Sequence, residues 1–114
     1  MAGHDEQAIE KEINEKGLNA PRLKPEDIVA AIVDEKYHVF EGTTLTVVCL
    51  ILRNGFTVTG ESAAASADNF DEVIGRKIAR EKARNKIWML EGYLLRDRLY
   101  QRELTDAEQK TSDS

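Results

Sequence analysis

Arg76, Arg80 and Arg84 recur at i, i+4 and i+8, a spacing that sets them on one face of a helix. Guanidinium forks match phosphate oxygens, so two arginines one turn apart are able to grip a diphosphate. The same stripe also reads as a solvated face whose charges pair locally with Glu72 or Glu81. Two more residues carry a ligand role beside a structural one. Phe56 suits stacking on a base or filling a hairpin core, and Asn69 suits a polar ligand contact or a helix cap. Spacing alone leaves both alternatives open for all of them.

Other chemistries find little here. A nucleophile needs a base within reach. The histidines are His4, in a polar N-terminal stretch, and His38, ahead of a turn; Cys49 sits inside an apolar run and reads as a small core residue. No His, Cys or carboxylate cluster has metal-ligand spacing, and no glycine-rich phosphate loop is present, so no cofactor and no enzymatic activity are expected. A net charge of −5 weighs against general nucleic-acid binding. The lone cysteine excludes an internal disulfide and fits a reducing compartment. No apolar run reaches the roughly 18 residues of a membrane span and no secretory signal is read at the N-terminus, so a cytoplasmic location is expected.

Some framework must position these residues, and 114 residues suffice for one domain. Residues 1–23 are polar, with Ala8, Ile9 and Ile13 at helical spacing and Gly17 as a stop: a short helix. A single α+β domain is expected over 24–100. Pro25, Glu26 and Asp27 suit a first helical turn, and Ile28, Val29, Ile32 and Val33 continue that helix to about Glu35. Tyr37 to Phe40 is ambiguous. Thr43 to Arg53 has strand composition, Asn54-Gly55 signals a two-residue type I′ turn, and Phe56 to Ser62 returns as a second strand. That loop sets Arg53 opposite Phe56, Ile51 opposite Val58 and Cys49 opposite Gly60, with Val47, Cys49, Ile51, Phe56 and Val58 on one face. Val48, Leu50 and Leu52 make the other face apolar too, which asks for cover on both sides.

A long helix is predicted from about Phe70 to Tyr100, capped by Asp68 or Asn69. Around Ile87 to Leu95 it is apolar almost all the way round, so a homo-oligomer through this helix is expected. Gly75 and Gly92 point to close approach of another backbone. Residues 101–114 read as an acidic, flexible tail.

The stretch Thr46 to Leu95 resembles a family of small tailed-phage and prophage proteins, named only for gene product forty-nine and gene sixty-six of two phages. The resemblance rests on Asn54-Gly55-Phe56, Gly60-Glu61-Ser62, Asn69-Phe70-Asp71, Ile74-Gly75, Ala79, Ile87-Trp88 and Leu90-Glu91-Gly92-Tyr93, with Tyr37-His38-Val39-Phe40 upstream. The hairpin, the Asn-Phe helix start and the Trp88 to Tyr93 block are also, more loosely, similar to phage proteins that inhibit Thoeris immunity. Those proteins trap the glycocyclic ADP-ribose signal without degrading it, as oligomers with ligand sites at subunit contacts. That similarity implies arginine roles for Arg80 and Arg84, an aromatic role for Phe56 and a polar contact for Asn69.

The expectation is therefore an α+β oligomer of a short helix, a β-hairpin and one long C-terminal helix. It acts in the infected host's cytoplasm as a non-enzymatic sponge for a cyclic nucleotide immune signal, without membrane or nucleic-acid partners. The alternative is a phage protein-interaction module that docks on a host or virion protein.

Overall fold

The computed structural model describes residues 2–18 and 20–112; Met1, Asn19 and the last two residues of the expected tail lie outside them. Helix α1 spans Ala2–Glu15 and α2 spans Pro25–Ala30. Strands β1 (Ile32–Val39), β2 (Leu45–Leu52) and β3 (Thr57–Ala63) form an antiparallel sheet in the order β1-β2-β3. A 3-10 turn over Ala67–Asn69 leads to helix α3, Glu72–Ser112. The chain is thus α+β, with one strand more than the predicted hairpin.

The extra strand comes from residues read as helix. Helix α2 starts as expected, with Pro25 in its first turn and the Lys24 backbone N–H donating to Asp27 Oδ2 at 2.9 Å. It stops at Ala30, and Ile32 to Glu35 belong to β1. The reason is tertiary. Lys36 to Val39 pair with Thr46 to Cys49, so β2 becomes the central strand and its backbone groups are satisfied on both edges. Short β-branched runs such as Ile32-Val33 fit either period, and the pairing decides.

The hairpin turn also differs from the expectation. Leu50 pairs with Val58 and Cys49 with Thr59, one residue away from the predicted register. Leu52 bonds Phe56 across a three-residue loop, with the Gly55 N–H donating to the Leu52 carbonyl at 2.8 Å. Gly55 has φ +88° and is the loop's one left-handed residue, since no non-glycine residue among those described has positive φ. A type I′ turn needs two such residues, so the turn is a type I turn closed by a left-handed glycine. Because side chains alternate, that shift exchanges the faces. Thr46, Val48, Leu50, Leu52, Val58 and Gly60 are buried under α3. Val47, Cys49 and Ile51 lie half-buried on the opposite face.

The core is the layer between sheet and helix: Val48, Leu50, Leu52 and Val58 meet Ala79, Ala83 and Ile87, with Ile28 and Ala31 closing one end. Each large aliphatic side chain removed from water here contributes roughly 1.5–3 kcal/mol. Small residues on both sides let the backbones approach. A Cβ built on Gly60 would stand 2.0 Å from the Ala79 carbonyl oxygen, and one on Gly75 would stand 2.9 Å from Thr46 Oγ1. The close neighbours of Gly75 are therefore side chains of its own chain, while Gly92 meets only Leu23 at ordinary contact distance.

Helix α3 starts two residues later than predicted, because the 3-10 turn and an extended Phe70 come first. Its N-terminus is capped by Asp71, whose Oδ1 accepts from the Ile74 N–H at 3.0 Å, and not by Asp68 or Asn69. It continues past Tyr100 through the segment expected as a flexible tail. No glycine or proline follows Gly92 to stop it. At about 1.5 Å per residue, its 41 residues account for most of the molecule's 71 Å long axis. From Gly92 to Lys110 none of its residues is buried. No helix among the described residues is long and apolar enough to cross a membrane.

Candidate functional site

Each arginine of the stripe meets an acid or an aromatic ring. Arg76 bonds Glu72 one turn back at 3.1 Å and lies over the Tyr37 ring at 5.1 Å. Arg80 grips Glu35 on β1 with a two-point fork, Nε to Oε1 at 2.9 Å and Nη2 to Oε2 at 3.2 Å. The Tyr37 hydroxyl donates to the same Oε1 at 2.7 Å. Arg80 holds the Glu35 carboxyl below its usual range, with help from the Tyr37 hydroxyl and against the effect of burial. Burial, then the bond to Glu35, pushes the Tyr37 phenol up to about 12.

Arg84 is the most enclosed of the three, 14% exposed. Its Nη1 donates to both oxygens of Glu6 on α1, at 2.9 and 3.0 Å. The Trp88 indole N–H, one turn further along α3, donates to Glu6 Oε1 at 3.0 Å. Arg84 Nε is buried and has no hydrogen-bond partner. Trp88 follows Arg84 at i+4 in an amphipathic helix, so their shared face was readable in sequence. Glu6 carried no such signal, because its contact spans most of the chain.

Phe56 and Asn69 stand elsewhere. Phe56 stands just before β3, is 55% exposed, and lines a groove of about 420 Å³ together with Leu52, Met89, Tyr93 and Leu94. In the same groove Arg53 forms a two-point ion pair with Glu91, at 2.7 and 3.2 Å, and Glu91 is buried. Asn69 is exposed in the 3-10 turn before α3. Within one chain the structure brings Arg80 and Arg84 onto neighbouring turns but joins neither to Phe56 or Asn69. Among the described residues no group of His, Cys, Asp and Glu gathers as a metal site.

Beyond the groove the apolar surface continues along α3. Met89 and Tyr93 are 71% and 74% exposed, and Tyr100 and Leu104 follow on the same side of the helix. Arg96 reaches along that side to Glu103 at 3.3 Å. A family model described as Phage protein (N4 Gp49/phage Sf6 gene 66) family matches the chain over residues 23–99. No curated protein and no solved structure matches it.

Proposed function

Given that the chain belongs to this phage protein family, we propose that it is a non-enzymatic interaction module of the infected cell's cytoplasm, self-associating through α3. One observation carries the reading. Past the sheet, α3 runs on unburied to Lys110 and still presents Tyr93, Tyr100 and Leu104 along one side. An unsupported helix in water draws little stability from propensity alone, and such a stripe is the usual mark of a packing face. A second copy is the partner that fits. Arg96 and Glu103 flank the stripe on one side, so an antiparallel pair of α3 helices sets each arginine beside the other copy's glutamate. Sedimentation velocity tests this. The wild-type chain is expected as a dimer or larger, and the Tyr100→Glu, Leu104→Glu double variant as a monomer with unchanged near-UV circular dichroism. A wild-type monomer at all concentrations would end the proposal.

A second reading, capture of a cyclic nucleotide signal such as glycocyclic ADP-ribose, is favoured by the Arg84–Trp88 corner. There a guanidinium and an indole N–H converge on one acidic oxygen. Phe56 and Asn69 lie apart from that corner, so such a site would draw its aromatic and amide contacts from a neighbouring subunit. Calorimetric titration with the signal checks this reading. Binding lost in Arg84→Ala supports it, and no binding by the wild-type protein rejects it.

A further inference from the structure

We propose that the Arg84–Trp88 corner is a phosphate-binding site whose built-in competitor is Glu6, carried on α1 as a detachable cover. This rests on the second reading above, that the corner takes an acidic ligand. Three observations lead to it. First, Arg84 Nη1 and Trp88 Nε1 both donate to Glu6 Oε1, so the carboxylate stands where an external oxyanion would. Neither donor has an accepting role of its own.

Second, Glu6 is a poor match for the fork. Both of its oxygens bond the single Nη1, and Arg84 Nε is buried unpartnered. A guanidinium prefers to use two nitrogens on one anion. A phosphate offers oxygens in more directions than a planar carboxylate. An unmade hydrogen bond at a buried donor is unfavourable, so a ligand that supplies the missing acceptor gains against Glu6.

Third, α1 is tied down more by charge than by core packing. Among the residues whose burial is described, none of the buried core belongs to it, Ile9 is half exposed and Ile13 is only part-buried. Its ties to the rest of the fold include the Glu6 contacts and an ion pair between Glu10 and Arg22. Parting these ties as a whole helix rehydrates the charges and leaves the sheet–helix core closed. Lifting α1 removes the competitor and opens the corner in one movement.

Trp88 is the sole tryptophan, so its emission reports on the corner directly. The full chain is titrated with inorganic diphosphate as wild type, Glu6→Gln and Glu12→Gln. Glu12 pairs with Lys16 on the exposed side of α1 and controls for the loss of one negative charge. Glu6→Gln is expected to bind at least about tenfold more tightly than wild type, the equivalent of one charge-assisted contact. Glu12→Gln is expected to match wild type, and adding Arg84→Ala to Glu6→Gln to abolish the emission change. Equal binding by wild type and Glu6→Gln would overturn the competitor while leaving the phosphate site. No binding by either would overturn both.

Discussion

Gly60 on β3 and Ala79 on α3 touch backbone to backbone: a Cβ placed on Gly60 would lie 2.0 Å from the Ala79 carbonyl oxygen and 2.6 Å from the Ala83 amide nitrogen. Neither obstacle can rotate away, so the helix seats on the sheet only because position 60 has no side chain. The relation fixes the depth at which Ala79, Ala83 and Ile87 meet Val48, Leu50 and Val58. Gly60→Ala must push α3 outward along this seam. The expected loss is about 3 kcal/mol or more, at the upper end of overpacking effects. Urea unfolding, or a failure to fold at all, reads it; a change under about 1 kcal/mol would contradict the packing described.

Arg84 is enclosed by its pair with Glu6, unlike the solvated arginine of a surface stripe. Arg84→Ala leaves the Glu6 carboxylate with the Trp88 indole as its remaining partner. The expected cost is about 1–2 kcal/mol, limited because α1 is able to detach and rehydrate Glu6. Hydrogen exchange should show α1 losing protection while β2 and α3 keep theirs.

Stability should fall at both ends of the pH scale through one cluster. Glu35 titrates below the ordinary 4.5 in the folded chain, so its contribution is complete above that value and fades as pH falls through the lower folded one. Tyr37 titrates at about 12 instead of 10.0, so its contribution is complete below pH 10 and is lost as pH rises toward 12. Glu35→Gln should flatten the acid limb of a urea-midpoint profile, and Tyr37→Phe the alkaline limb.

The turn between β2 and β3 separates two neighbouring residues. Gly55 sits at φ +88°, whereas Asn54 has ordinary negative φ and accepts from the Phe56 N–H at 3.0 Å. Gly55→Ala should cost about 1 kcal/mol or more, and Asn54→Ala less. Thermal melts of the two variants check the order, which a type I′ turn would not produce.

Much of this framework was legible in the sequence because it depends on local chemistry. The proline and acids at residues 25–27 and the place of the turn at Asn54-Gly55 each depend on contacts within a few residues. What failed was set by distant partners. Ile32 to Glu35 suit helix or strand, and pairing with β2 decides for strand. One residue in the loop count exchanged the faces of β2, although its apolar composition was right. The candidate residues divide the same way. Arg80 and Arg84 share a face as their spacing required, but Glu35 and Glu6 reach them from far along the chain. Phe56 and Asn69 were joined to the arginines by resemblance, and the fold of one chain keeps them apart.

The central claim is that α3 pairs antiparallel with α3 of a second copy. Dipolar electron resonance between nitroxides tests it most directly, in a Cys49→Ser background so that each chain carries one label. Labels at Gln101, near the centre of the charge inversion, should lie close together, on the scale of the 8–10 Å between packed helix axes plus the label arms. Labels at Asn85 should lie about 45 Å apart, from the 1.5 Å rise per residue on either side of that centre. Short distances at both positions would mean a parallel pair, and no dipolar signal at either would mean no pair; either result would contradict the account.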